Sequence, residues 1–187
     1  MNRNRSKLIK YLLGNNPTRW MQAATDLSNT ELHSSEIQIL INLLLNGNYI
    51  KQRESAAYAL SHCRSCHDNH LHQIFIEILE KGRESINVRA QAAEGLGYMH
   101  EFTNKGKKPY KEAVKTLMNL TKDDSPKIRF WAVFSLGLLK ARQAIPILKK
   151  LAKKDNKVCP GWWAIKDEAA DVINYISKGE WPERNRT

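Results

Sequence analysis

The sequence contains no run of eighteen apolar residues, the length a membrane-spanning helix requires. Its beginning, Met1-Asn2-Arg3-Asn4-Arg5-Ser6-Lys7, leads only into Leu8-Ile9-Lys10-Tyr11-Leu12-Leu13, which is too short and too charged for a signal peptide. Cysteine is scarce, and the three present, Cys63, Cys66 and Cys159, are an odd number. Without an export signal, that usage predicts reduced thiols and a cytoplasmic location. A P-loop, a dinucleotide fingerprint and a Ser/His/Asp arrangement are all missing, so no catalytic residue is assigned. Strand-type alternation is lacking too, which leaves an all-α fold.

The chain is long enough to bury a core of its own. At 187 residues with 42% apolar content it reads as one ordinary folded domain, with disorder needed only at the ends. Its formal net charge of +11 is the unusual bulk property. Such an excess favours an acidic partner, whether nucleic acid, an acidic protein or an anionic membrane surface.

The chain repeats itself. Aligning a basic residue, a small pair and an aliphatic residue gives Arg53/Ala56/Ala57/Leu60, Arg89/Ala92/Ala93/Leu96, Arg129/Ala132/Val133/Leu136 and Lys166/Ala169/Ala170/Ile173, preceded by a weaker Trp20/Ala23/Ala24/Leu27. The intervals are 33, 36, 40 and 37 residues, the range of two-helix solenoid repeats. Two neighbouring small residues let antiparallel helices approach closely while the aliphatic side chains interlock.

Apolar periodicity and stop signals place the helices. Residues 5 to 13 form a short amphipathic helix closed by Gly14, and Pro17 opens the next. Further helices are predicted from about Ser35 to Gly47, 49 to 62, 70 to 81, Ser85 to about 100, around Tyr110 to Leu117, from Ser125-Pro126, around Ala144 to Ala152, and from 162 to 177. One domain over 1–187 follows, with a cap helix in 1–14, repeats in 15–177 and a tail in 178–187 that is expected to fray, with docking of Trp181 as the alternative. The motif-bearing helix is taken to open each repeat, which makes the last unit a half-repeat.

Val88-Arg89-x-x-Ala92-Ala93-x-x-Leu96-Gly97 and Ile128-Arg129-x-x-Ala132-Val133-x-x-Leu136-Gly137 resemble HEAT-like repeats, in the flavour named after phycobilin lyases. Asp123-Asp124 and Ala144-Ile145-Pro146-Ile147-Leu148-Lys149-Lys150-Leu151 are similar to that family's linker and second helix. The resemblance covers about residues 17 to 177 and implies a right-handed α-solenoid, a superhelix of about four and a half two-helix HEAT-like repeats. Adaptors, chromophore-handling proteins and alkylated-base DNA glycosylases all use such repeats.

Site candidates lie where the repeats differ. Arg53, Arg89, Arg129 and Lys166 recur once per repeat and are expected to be inter-repeat struts. The expected partner-binding surface is a basic concave face on the second helices: Lys107 and Lys108 from a lysine-rich insertion that also holds Lys105, then Lys111, Lys115, Lys149, Lys150, Lys153 and Lys154. Phe130, Trp131, Phe134, Trp162 and Trp163 are expected to be buried rather than base-stacking. Cys63, Cys66, His67 and His70 have the residue types for a structural zinc site, with His72 as a further ligand, although inert thiols are the default reading and no cofactor is expected. A glycosylase would need a groove carboxylate, and Asp123, Asp124, Asp167 and Asp171 are available without a matching motif. The expected function is a non-catalytic cytoplasmic scaffold that binds an acidic protein. Nucleic-acid binding, including a glycosylase-like activity, and bilin lyase or chaperone work are the alternatives.

Overall fold

In the computed structural model of the protein, the described residues are 3–99 and 107–182. Part of the lysine-rich insertion, including Lys105, and the end of the tail, 183–187, lie outside them. Ten α-helices follow one another: α1 Arg3–Leu13, α2 Pro17–Ser28, α3 Ser34–Asn46, α4 Ile50–His62, α5 Asn69–Lys81, α6 Ile86–Tyr98, α7 Lys108–Leu120, α8 Pro126–Leu138, α9 Ile145–Lys154 and α10 Ile165–Lys178. Among the described residues there is no strand, only an isolated bridge between Val158 and Ala164.

Local chemistry explains the helix ends. Asn16, Asp68 and Ser85 each accept a backbone N–H from the first turn of α2, α5 and α6. Ser125 occupies the corresponding position before α8 but makes no side-chain cap bond. Its own N–H instead donates to Asp123 Oδ1 at 2.9 Å, while Arg129 Nη1 donates to the carbonyls of Asp123 and Asp124. Gly82 ends α5 at φ +62°, a left-handed conformation that favours glycine. Helix α10 begins at Ile165 rather than at 162, because Cys159, Ile165 and Lys166 donate backbone N–H groups to Trp163, Lys157 and Asp155 and hold 157–164 in an extended turn.

The helices stack in two layers. Each even helix packs closely on the odd helix before it, giving the antiparallel pairs α1–α2, α3–α4, α5–α6, α7–α8 and α9–α10. The motif-bearing helix therefore closes a pair instead of opening one. Along the stack, α2, α4, α6, α8 and α10 also touch in succession, whereas among odd neighbours only α5 and α7 meet at more than isolated points. Small residues on the even helices fit this asymmetry: Ala56, Ala57, Ala92, Ala93, Ala132 and Ala169 are all buried. A stack held more tightly on one side curves toward that side, so the even helices form its inner row.

One continuous core runs the length of the solenoid. Polar ties cross it: Gln52 Nε2 donates to the Leu12 carbonyl at the end of α1 at 2.6 Å, and Ser135 Oγ donates to the Ala93 carbonyl within α6 at 2.8 Å. Trp181 docks from the tail, with its ring 5.4 Å from Phe134 and 4.7 Å from Tyr175.

Candidate binding groove on the inner helix row

Three positions of each motif helix share one face: those two, five and nine residues after the basic residue. In α4 they are Ser55, Tyr58 and His62, in α6 Gln91, Glu94 and Tyr98, and in α8 Trp131, Phe134 and Leu138. Side by side, Tyr58 and His62 of α4, Gln91, Glu94 and Tyr98 of α6, and Trp131 and Phe134 of α8 line a groove with Trp162, which arrives from the turn before α10.

The walls are aromatic. Tyr58 stacks on His62 with centroids 4.1 Å apart, His62 lies 5.1 Å from Tyr98, and Tyr98 lies 6.1 Å from Phe134. Trp131 continues the chain at 5.4 Å from Phe134 and 5.2 Å from Trp162. Phe130 and Trp131 are buried, as expected, while Phe134, Trp162 and Trp163 are only half-buried. The Trp131 indole N–H is buried without a hydrogen-bond partner among the described residues.

Glu94 sits among these rings with its side chain 5% exposed. His62 Nε2 stands 3.4 Å from Glu94 Oε1, and His62 Nδ1 lies 3.0 Å from the Tyr58 carbonyl. Burial lowers the His62 pKa, but the hydrogen bond and charge of Glu94 together with the Tyr58 carbonyl outweigh it, so the net shift is upward. Burial first, and the neighbouring Glu94 carboxylate second, hold the Tyr98 phenol well above its ordinary range. None of Tyr58, His62, Glu94 or Tyr98 is a site residue by sequence reasoning, yet the repeat register contains the signal. Glu94 occupies the position filled by Tyr58 and Phe134 in the adjacent units.

The expected struts lie at the ends of the even helices. Arg53 Nε is 3.2 Å from Glu84, Arg89 Nη2 is 2.6 Å from Asp123, and Arg129 Nε is 2.8 Å from Asp155. Each reaches an acid in or beside the connection preceding the next even helix. Lys166 differs: its backbone N–H donates to the Asp155 carbonyl, and its side chain makes no ion pair among the described residues. Arg5, on α1, adds a contact to Glu36 at 3.3 Å.

The lysines lie elsewhere. Lys107, at the N-cap of α7, and Lys108, Lys111 and Lys115 within it are exposed, as are Lys149, Lys150, Lys153 and Lys154 on α9. Both helices belong to the odd layer, so these side chains are not on the inner face where a basic concavity was expected. The small residues that draw the even helices together put α7 and α9 outside. Lys111 and Lys115 border a shallow depression shared with Gln143, and Lys150 and Lys154 border another with Asp155 and Lys157.

The Cys/His run is split by the fold. Cys63 and Cys66 are buried at a short 3-10 turn, Arg64–Cys66, where Cys63 Sγ lies 3.1 Å from Ser65 Oγ. His67 Nε2 is turned to the Ser61 carbonyl at 2.9 Å and His70 is exposed, so the four residues do not converge as zinc ligands. Among the described residues no group of three or more His, Cys, Asp or Glu is arranged to hold a metal. Hydrogen bonding by Cys66 lowers the Cys63 pKa to about 6, and the same contact pushes Cys66 up.

No described helix is long and apolar enough to cross a membrane. The HEAT-repeat family model matches residues 73–159. A search of curated protein sequences finds no match. Among solved structures, the complex of CpcE and CpcF of phycocyanin lyase from Nostoc sp. PCC7120 has a chain of similar fold, with a TM-score of 0.66 and 20% identity over 90% of this chain and 97% of that one. Residues 73–159 thus match the HEAT-repeat family, and the two-layer stack of helix pairs continues the same architecture on either side of them.

Proposed function

We propose that the protein is a non-catalytic cytoplasmic scaffold that docks an acidic protein through its outer, lysine-bearing layer. The observation that carries this reading is that Lys111, Lys115, Lys149, Lys150, Lys153 and Lys154 are all exposed on α7 and α9 and make no ion pair among the described residues. Like charges held together without counter-charges repel, and an acidic surface placed against them relieves that repulsion. The solved neighbour is itself a complex of two chains, which supports a protein as the partner. The test is affinity capture with the wild-type chain and with a Lys149→Glu, Lys150→Glu, Lys153→Glu, Lys154→Glu variant. An acidic protein should be retained by the wild type only, and less so as salt rises, because exposed charges are screened over about 8 Å at physiological ionic strength. Tight binding of mixed-sequence duplex or single-stranded nucleic acid at that salt, abolished in the same variant, would replace this reading with the nucleic-acid one.

A second reading, bilin handling, is supported by the aromatic groove on the inner row and by the fold shared with a phycocyanin lyase chain. Incubation with a bilin should then produce a shifted visible absorbance band that is lost when Phe134 and Trp131 are replaced by leucine.

A further inference from the structure

We propose that the inner-row groove is a binding site for a small organic cation of the quaternary or protonated alkylammonium class, held over the aromatic rings with Glu94 as its counter-charge. The inference rests on the groove alone and stands apart from the role of the lysine layer. Aromatic faces carry negative potential and attract a cation placed over them, an effect that grows when water is excluded. Here Tyr58, Tyr98, Trp131, Phe134 and Trp162 surround a depression of about 280 Å³ into which Glu94 brings a carboxylate. A trimethylammonium group matches such walls, because its charge is spread over methyl surface that rings can cover and a carboxylate can offset.

The one side chain of the groove lining that can carry a positive charge is His62, stacked on Tyr58. The chain's 30 lysines and arginines contribute none to the lining of the groove. Lysine and arginine do lie over aromatic rings elsewhere, with Lys7 and Arg19 over Tyr11 and Lys140 over Tyr175. In a chain of net charge +11, this carboxylate, buried among rings with the His62 imidazole and the Tyr98 phenol beside it, offers a cation from outside a counter-charge inside an aromatic enclosure. An apolar residue like Phe134 at the equivalent position would close the groove without burying a charge.

The test uses choline and its neutral isostere 3,3-dimethylbutan-1-ol, titrated into the full chain while the tryptophan indole N–H resonances are followed by NMR. Choline should saturably shift Trp131 and Trp162, with the isostere weaker by about tenfold or more. Glu94→Gln should weaken choline by about tenfold while leaving the isostere unchanged. Should Glu94→Gln fail to fold, Phe134→Ala, at the half-buried rim, should weaken choline by roughly fivefold. The four-lysine reversal variant should retain choline binding, so failure of the scaffold reading and failure of this one are separable. Equal affinity for choline and its isostere, choline affinity unchanged in Glu94→Gln or in Phe134→Ala, or no shift of either indole would each overturn the proposal.

Discussion

Gly97 on α6 lies directly against Ser135 on α8: a Cβ on Gly97 would come within 2.8 Å of the Ser135 Cα and within 2.6 Å of its Oγ. The two helices meet at their backbones there, and Ser135 uses the closeness to donate to the Ala93 carbonyl. Gly137, the same motif position one unit later, is covered by Trp181 and Val172. The glycine that ends the motif thus sets how closely the inner row can stack.

Gly97→Ala should therefore destabilise the protein by about 1–3 kcal/mol through overpacking. Thermal unfolding followed by circular dichroism measures it. Adding Ser135→Gly should recover only part of the loss, because the Ser135 Cα is itself one of the clashing atoms. A Gly97→Ala variant as stable as the wild type would mean that α6 and α8 separate at no cost.

The arginine struts are unequal. Arg129 binds both oxygens of Asp155 at 2.8 and 3.2 Å as well as two carbonyls, with the pair 13% and 12% exposed. Arg129→Ala should cost about 3 kcal/mol, and Arg129→Lys should not restore it, since an ammonium cannot reproduce the planar fork. Arg53→Ala, at a wetter pair 20% and 24% exposed, should cost nearer 1 kcal/mol. Urea denaturation of the three variants tests the ranking.

The His62–Glu94 contact makes stability depend on pH. The folded pKa of His62 is raised above its ordinary value of 6.5, so the contact's contribution is complete below that value and is lost as pH rises through the folded pKa. In Glu94→Gln, burial is left opposed only by the Tyr58 carbonyl, and the His62 pKa should fall. Proton NMR titration of the imidazole reads this directly, and an unchanged midpoint would show that Glu94 does not set it.

Thiol titration should reveal one early thiolate. Absorbance at the thiolate band should show Cys63 ionising near pH 6, whereas burial holds Cys159 up at about 11. Cys66→Ala removes the hydrogen bond that stabilises the Cys63 anion and should move its ionisation back toward the ordinary 9.

Most of the fold is legible in the sequence because helix formation is read locally. Amphipathic spacing and stop residues such as Gly82 place the helix ends within a few residues, and the recurring Ala pairs disclose the repeat. A period gives spacing, however, and not phase: the same interval fits a motif helix that opens a pair or one that closes it. The short connections 47–49 and 82–85 hint at the second phasing, but the long one at 155–164 masks the hint.

The groove was hidden for a related reason. Read one helix at a time, Glu94 is an acid on an otherwise Ala- and Gly-rich helix, and His62 belongs to a tempting Cys/His run. Only when α4, α6 and α8 lie side by side do they become neighbours in an aromatic enclosure. Phe134 was in view, but burial in a helix apolar all round was its simplest explanation.

By itself the sequence determined ten helices, their repeat and the strong positive charge, since each follows from composition or from contacts between residues near in the chain. The tertiary structure decided which helices pair, that the even row lies inside, that the lysines lie outside, and that a carboxylate and a ring of aromatics share one groove. Those properties depend on distances between helices, set by small buried residues such as Ala93 and Gly97 acting on partners some forty positions away.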